Sequence, residues 1–400
     1  MGRFEEEGAP QNVEYEPTSV KDLLVEMKDT AELLIDLSYS AVLHQSEDVA
    51  EEVLKLEEKM DVLQLRARMS LMLAARNPGE VEQLAPVLGV VGGADKISDA
   101  AGDIAKIVLE EIGLPDAMRG ALGEAVEMLV RGTVAADSAY AGRTLQDIDL
   151  ESQTGVRLIA IRRADDWILD PGPNTTVRRD DVVILRGPEG AIGGVYETLT
   201  GDRYEPAEPV EAEVEDLERA VDSIVLMKNL SELGVDLAYG SILFDNEQLA
   251  EEVANLEVEV DALQSRFEAW TLRAAQETED PVTLRGLIHL GVATEVISDA
   301  ALELSEGVLR DLDVHPVVEL AVQESDEIIT RTTIQEGSEL DGTEVHEGVP
   351  ETDISTSVLA IRRPEGWVVG PDIDTTIRAG DVVITKGTRS SAAEFEQLAA

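Results

Sequence analysis

Several residue types are scarce or absent in this chain of 400 residues, and each absence excludes a class of structure. Cysteine does not occur, which excludes disulfides and thiolate metal sites. No run approaches the roughly 18 apolar residues of a membrane-spanning helix. Aromatic residues make up only 3% of the chain, so aliphatic side chains must fill its cores. Residues 1–17 are acidic and poor in apolar side chains, so they predict no secretory signal and favour a cytoplasmic protein.

Positive charge is also scarce, because 32 basic residues face 83 acidic ones and the net charge is −51. No basic patch exists to neutralise phosphates, which excludes nucleic acid as a partner. The hydrophobic fraction of 44% is too high for a disordered acidic chain. We therefore interpret the chain as a folded protein with a carboxylate-coated surface. This composition is typical of halophilic cells, where molar salt shortens the Debye length to about 3 Å and screens the repulsion.

The chain is an internal duplication with an offset of 200 residues. The segment 158–163, which ends in Ile161-Arg162-Arg163, recurs at 358–363, which ends in Ile361-Arg362-Arg363. Further matched pairs run through both repeats: Asp36 with Asp236, Tyr39 with Tyr239, Asp61 with Asp261, Gln64 with Gln264, Trp167 with Trp367, and Pro171 with Pro371. A repeat of this length predicts that each half folds into the same unit.

The first part of each repeat is typical of a helical bundle. Apolar residues are spaced alternately four and three apart, which places them on one helix face. They are Val49, Val53, Leu56, Met60, Leu63 and Ala67 in the first repeat, and Leu249, Val253, Leu256, Val260, Leu263 and Phe267 in the second. Breaks at 77–79 and 113–115 separate the helices. We expect an antiparallel bundle of three to four helices in each repeat.

The second part of each repeat is typical of short strands. A β-rich run at 156–162 and an apolar run at 181–185 flank turn residues that include Pro171 and Asn174. The fold class is therefore a multidomain chain of two helical bundles, each followed by a small α/β domain. The expected divisions are an acidic tail (1–17), a bundle (18–130), an α/β domain (131–203), a linker (204–215), a second bundle (216–330) and a second α/β domain (331–400).

The strand-rich part resembles the TrkA-C domain, also called RCK-C, over about 65 residues of each repeat. The resemblance rests on the segments 142–145, 154–156, 159–163, 170–173 and 180–184. The helical part resembles a PhoU bundle through acidic pairs spaced four apart. TrkA-C domains self-associate and bind small ligands, in several members cyclic di-AMP, to control potassium channels and transporters. PhoU proteins regulate transport complexes and signalling.

The resemblance to PhoU implies a metal site, for a divalent metal or iron, on the acidic pairs. These are Glu57 with Asp61 and Asp95 with Asp99 in the first repeat, and Glu257 with Asp261 and Glu295 with Asp299 in the second. Like charges four apart on a helix repel by roughly 0.2–0.5 kcal/mol, which a bound cation would remove. Carboxylate oxygens suit hard cations. The alternative is a solvated acidic face, because a chain this acidic places such pairs by chance.

Two adjacent arginines at the end of a strand are the candidate ligand contacts. Arg162 and Arg163, with Ile161, Pro171 and Asn174, predict a site for an anionic ligand such as cyclic di-AMP. The equivalent positions in the second repeat are Ile361, Arg362, Arg363 and Pro371. The alternative is that these arginines offset nearby carboxylates. Trp167 and Trp367 are expected to be packing residues.

Two functions fit these features, and neither is enzymatic, because no nucleophile or metal-histidine motif is present. The first is a ligand-sensing subunit that controls a membrane cation channel or transporter, with potassium as the expected ion. It would lie in the cytoplasm, at the inner face of the membrane through its partner. The second is a regulator of phosphate transport, or a metal-binding adaptor, in which the TrkA-C-like domains only dimerise.

Overall fold

A computed structural model shows helical bundles and small sheets that alternate along the chain. The structure describes residues 19–74, 78–115, 118, 128–164, 166–169, 171–187, 189–204, 214–244, 246–278, 280–310, 312, 327–345, 356–364, 366–371 and 375–400. The expected acidic tail at 1–17 and most of the expected linker lie outside these residues.

Long helices occupy the first part of each repeat, and short ones accompany the sheets. The helices are α1 (Val20–His44), α2 (Glu47–Ala74), α3 (Pro78–Leu109), α4 (Leu145–Ile148), α5 (Leu150–Thr154), α6 (Glu189–Thr200), α7 (Glu215–Leu243), α8 (Glu247–Glu277), α9 (Arg285–Leu309) and α10 (Arg389–Leu398). Within the described residues, each bundle thus contains three long helices. The short connections between consecutive helices require antiparallel neighbours.

The expected apolar seams form the core of the bundles. All six residues of the α2 seam and all six of the α8 seam are buried. Helices α3 and α9 pack against each other, so a single hydrophobic core runs through both bundles. Reciprocal contacts relate the repeats by a pseudo-twofold axis, because Lys28 lies over the ring of Tyr239 and Lys228 lies over the ring of Tyr39. The two repeats therefore form one continuous helical body.

Each sheet has four antiparallel strands. The strands are β1 (Met128–Thr133), β2 (Arg157–Arg163), β3 (Asp166–Leu169), β4 (Val182–Gly187), β5 (Glu327–Thr333), β6 (Thr356–Arg363), β7 (Gly366–Val369) and β8 (Val382–Thr388). Their order is β1-β4-β2-β3 in the first sheet and β5-β8-β6-β7 in the second. Strands β1 and β5 begin before the expected domain boundaries at 130/131 and 330/331, because a strand this short carries too little alternation to mark its own start.

Successive side chains along a strand point to opposite faces, so each sheet has two packed faces. In the first sheet, Ala160 and Ile184 face the bundle, whereas Ile161 and Val183 join Ile192 of α6 in a separate core. Trp167 and Trp367 pack at the edge of the bundle core, which confirms their expected structural role. Each sheet is thus held between its own bundle and its own short helix.

The two sheets make their extensive contacts with helices. Among the described elements, no extensive contact joins a strand of one sheet to a strand of the other. Self-association of the small domains, within one chain or between two chains, stays a prediction. In the described part of the sequence, none of the helices combines the length and apolar character needed to cross a bilayer.

Candidate functional site

A buried glutamate lies where the first sheet meets its bundle. Glu52 is on α2, and its side chain is completely buried. Arg162 of β2 donates hydrogen bonds from Nε and Nη2 to the two carboxylate oxygens, the Nη2–Oε1 distance being 2.6 Å. Arg131 of β1 donates from Nε to Oε1 at 3.3 Å. One carboxylate of the bundle therefore holds β1 and β2, the two strands that flank β4 in the sheet.

The second repeat has the same arrangement. The side chain of Glu252 on α8 is 2% exposed, and its Oε1 lies 2.9 Å from Nε of Arg331 and 2.9 Å from Nη2 of Arg362. We call Glu52 and Glu252 the docking glutamates. A second ion pair joins bundle and sheet in the first repeat, where Nη1 of Arg186 lies 3.3 Å from Oδ2 of Asp36.

The buried Glu52 carboxylate needs its arginines in order to remain charged. Burial acts to raise the pKa of Glu52, but the hydrogen bonds and charge of Arg162, with the charges of Lys55 and Arg131, lower that pKa below its usual value. Loss of one partner from a buried ion pair leaves an uncompensated charge, which costs about 3–5 kcal/mol. The arginines thus fix the orientation of the sheet on its bundle.

The second candidate arginine of the first repeat, Arg163, is held within its own sheet domain. Its Nε and Nη2 both lie 2.8 Å from the carboxylate of Asp181, and Nη2 also donates to the carbonyl of Thr176 at 2.9 Å. Asp181 is buried and accepts a hydrogen bond from the backbone of Arg178. The alternative interpretation, in which the arginines offset nearby carboxylates, therefore describes the contacts of both Arg162 and Arg163.

The other predicted ligand contacts lie in different environments. Ile161 is completely buried in the core between the sheet and α6, so it cannot touch a ligand at the surface. This differs from expectation because its side chain points to the opposite face from its neighbours Ala160 and Arg162. Pro171 is buried and Asn174 is exposed on the turn between β3 and β4. The predicted ligand contacts thus divide between a buried core, a turn and two ion pairs with carboxylates.

The second repeat repeats this placement. Arg363 bonds to Asp381, with Nη2 2.9 Å from Oδ2, and to the carbonyl of Thr376 at 2.6 Å. Ile361 is completely buried, and Pro371 is half-buried. Ligand contact by either set of residues stays a prediction.

Three of the predicted metal-ligating residues of the first repeat come together. Oxygens of Asp61 on α2 and of Asp95 and Asp99 on α3 all lie within 4.8 Å of one another. Burial, together with the charges of Asp99 and Asp61, raises the pKa of Asp95 to about 6. Asp61 therefore faces Asp95 and Asp99 across the α2–α3 contact, and these three residues offer carboxylate oxygens for a hard cation.

Glu57 lies next to this cluster but points toward a cation of the protein. Its Oε1 is 3.8 Å from Nζ of Lys106, which also contacts Asp103. Burial, and the charges of Asp99 and Asp61, outweigh the effect of Lys106 and raise the pKa of Glu57 to about 7. A Cβ at position 102 would clash with the carboxylate of Glu57, so Gly102 makes room for that side chain.

The equivalent acidic residues of the second repeat are also close to one another. Burial and mutual repulsion raise the pKa values of Glu257, Glu295 and Asp299, the charge of Asp261 contributing to each. Among the described residues, however, three carboxylates converge this closely only in the first repeat. The position of Asp95 is occupied in the second repeat by Glu295, whose side chain is one methylene longer, so the two acidic clusters differ in composition.

The docking glutamates were not among the sequence predictions. The available signal was an acidic residue on the apolar face of a helix, since Glu52 lies three positions after Val49 and four before Leu56. The same signal occurs at Glu252 in the second repeat. In so acidic a chain, a single carboxylate does not stand out until its neighbours in space are known.

The domains observed in the fold match two known families. The PhoU domain family matches residues 24–108 and 224–308, and the TrkA-C domain family matches residues 129–200 and 329–400. The chain is a tandem protein of the PhoU and TrkA-C families. The predicted family resemblance and fold class are thereby confirmed. Both families consist of regulatory domains, which fits a regulatory role.

The chain also shows likeness to solved structures. The crystal structure of PhoU from Pseudomonas aeruginosa shares 12% identity, with 76% of this chain and 96% of that chain covered and a TM-score of 0.41. The GsuK RCK domain shares 14% identity, with 68% of this chain and 63% of that chain covered and a TM-score of 0.18. The family assignment rests on the domain matches and not on these scores. No curated protein matches the chain.

Proposed function

We propose that this protein is a non-enzymatic regulatory subunit that senses a small ligand through its TrkA-C domains and controls a membrane cation channel or transporter, with potassium as the ion. The observation that carries the proposal is the pair of docking glutamates. Each TrkA-C sheet is fixed to its PhoU bundle by two arginines on one buried carboxylate. A change in the TrkA-C domain would therefore be transmitted directly to the helices.

Cyclic di-AMP is the first ligand to test. Its phosphates would have to compete with Asp181 for Arg163, or with Glu52 for Arg162, since both arginines already bond to carboxylates. Such competition gives a physical means of regulation, because a ligand that draws Arg162 from Glu52 weakens the attachment of the sheet to the bundle. Self-association of TrkA-C domains from different chains would supply the second half of a site for a symmetric ligand.

The test is calorimetry of the whole chain with cyclic di-AMP in molar KCl. We expect Arg163→Lys to weaken binding, because lysine keeps the charge but loses the fork that grips phosphate. Arg363→Lys is the matched variant in the second repeat. Because both substitutions alter a structural ion pair, thermal unfolding of each variant must accompany the titration. If the wild-type chain binds no cyclic di-AMP at high micromolar concentrations, this ligand assignment is wrong.

A second function, a metal-binding adaptor of the PhoU type, is favoured by the convergence of Asp61, Asp95 and Asp99. We expect Mn²⁺ to raise the melting temperature of the wild-type chain, because it binds the folded state alone. Asp99→Asn should remove this increase, and Asp299→Asn in the second repeat should leave most of it. Equal increases in the wild type and both variants would contradict a site on these residues.

A further inference from the structure

A cavity of about 580 Å³ lies between the first PhoU bundle and the first TrkA-C sheet, and its walls include none of the residues considered above as ligand contacts. The end of α1, the start of α2, strand β1 and the end of α6 with the residues that follow form its walls. Its volume is in the range of pockets that bind small organic molecules, roughly 300–1,000 Å³.

One wall of this cavity is an open sheet edge. In an antiparallel pair, alternate residues bond to the partner strand. The backbone N–H of Val134 donates to Asp181 in the chain leading to β4, so even-numbered residues of β1 bond to β4. Odd-numbered residues point the other way: the carbonyl of Leu129 accepts from Ser40, and the N–H of Ala135 donates to Leu199. The peptide groups of Arg131 and Thr133 therefore face the cavity and have no partner among the described residues.

The open edge is short, which decides the kind of occupant. Ser40 closes it at one end and the contact with Leu199 closes it at the other, so two residues remain available. Addition of a peptide strand depends on a longer ladder of main-chain hydrogen bonds. Two residues instead present a compact set of amide donors and acceptors, which suits the edge of a planar heterocycle.

The side chains of the cavity favour the same class of ligand. Tyr196 and Tyr204 line it with ring centroids 5.4 Å apart, and aromatic faces stack on nucleobases. Asp48 and Asp202 offer carboxylates of the kind that bond to ribose hydroxyls. Burial lowers the pKa of His44, so its neutral ring can both donate and accept a hydrogen bond.

Charge argues against a phosphorylated ligand in this cavity. Its arginine, Arg131, is already held by carboxylates, with Nε 3.3 Å from Oε1 of Glu52 and Nη1 3.6 Å from Oδ2 of Asp48. A phosphate would also lie near Asp48 and Asp202, both of which are exposed. We propose that this cavity binds an uncharged nucleoside, with its base on the edge of β1 and its ribose near the carboxylates.

The second repeat lacks the site and provides an internal control. Gly240 and Phe244 replace Ser40 and His44, and the side chain of Ile329 packs against Gly240 where the first repeat has a hydroxyl. Glu396 replaces Tyr196. The equivalents of the Ser40 hydroxyl, the His44 imidazole and the Tyr196 ring are thus absent from the second repeat, so we expect one site per chain.

The test is equilibrium dialysis of the full chain in molar KCl with adenosine, guanosine, cytidine and uridine. Thr133→Pro removes the N–H that faces the cavity without removing a bond to β4, and proline is tolerated on edge strands. We expect it to weaken binding of the preferred nucleoside about tenfold. Thr333→Pro, at the same place in the second sheet, should leave the affinity unchanged.

A second variant keeps the test decisive if Thr133→Pro does not fold. Tyr204→Ala should also weaken binding about tenfold through lost stacking. The 5′-monophosphate of the preferred nucleoside should bind more weakly than the nucleoside. Failure of all four nucleosides at millimolar concentrations, equal effects of the two proline variants, or binding of short extended peptides in their place would overturn the proposal. Binding of cyclic di-AMP, measured separately, tests the proposed function and not this site.

Discussion

The two repeats of this protein share the contact between bundle and sheet but differ in the groups that could bind a ligand. The docking glutamates, their four arginines and the Arg163–Asp181 pair recur in both halves with similar geometry. Residues that line the cavity beside β1 have been replaced in the second half, and within the described residues the close convergence of three aspartates occurs only in the first half. Contacts that hold the domains together have therefore been retained, whereas groups available to ligands have diverged.

This difference separates structural charges from candidate binding groups without reference to other proteins. A charge that is buried and paired in both repeats is costly to lose, since its partner would be left uncompensated. A polar group that lines a cavity in one repeat and is replaced by an apolar group in the other has no such cost. The first repeat is thus the better candidate for ligand binding.

The largest effect expected is loss of the whole fold in dilute buffer. A net charge of −51 produces repulsion that is screened only at high salt, and domains are stable by just about 5–15 kcal/mol. Because one core spans both bundles, they should unfold together. Circular dichroism during stepwise removal of KCl measures this. Two separate transitions would show that the repeats are independent units, and unchanged helicity would contradict the prediction.

A smaller effect is expected from removing one docking glutamate. Glu52→Gln should lower the free energy of unfolding by about 2–4 kcal/mol, because Arg131 and Arg162 lose their shared countercharge. This value lies below that of a fully buried pair, since the arginine side chains are 20% and 14% exposed. Urea unfolding in molar KCl gives the measurement.

Glu252→Gln is the matched variant and should lower the free energy of unfolding by a similar amount. The contacts of Glu252 with Arg331 and Arg362 correspond to those of Glu52. If only one of the two substitutions destabilises the chain, the docking contact is not equivalent in the two repeats. If both substitutions lower the free energy of unfolding by less than about 1 kcal/mol, these ion pairs stabilise the fold no more than exposed surface ion pairs do.

The smallest expected effect is a change in the way the free energy of unfolding depends on pH. The pKa of Glu57 is raised from its usual 4.5 to about 7, so the folded state holds this proton more tightly than the unfolded chain does. Its contribution is therefore stabilising at low pH and is lost as the pH rises from about 4.5 to 7. Glu57→Gln should reduce the fall in stability across this window by about 1–2 kcal/mol. Glu257→Gln should have a smaller effect, and thermal unfolding across the window distinguishes the two.

Much of the fold could be predicted from spacing alone. The alternation of four and three along α2 and α8 identified twelve core residues, all of them buried. This prediction succeeded because a helix fixes which residues share a face. Asp61, Asp95 and Asp99, which belong to the acidic pairs of the first repeat, lie together in the structure, and metal binding by them stays a prediction.

The partners of the candidate arginines could not be predicted from spacing along the chain. Their type and position were visible in the chain, but their partners lie far away in sequence: Glu52 precedes Arg162 by 110 residues. The open edge of β1 was likewise hidden, because it depends on which strand pairs with β4 and on where α6 ends.

The sequence by itself determined the duplication, the charged surface, the apolar seams and the two domain families, since composition and periodicity are properties of the chain. The tertiary structure alone decided that the arginines meet buried carboxylates, that three aspartates of the first repeat come together, and that β1 faces a cavity. The physical reason is that charge pairing, burial and free hydrogen-bonding groups depend on distances between residues far apart in the chain, and those distances are set only when the sheets pack on the bundles.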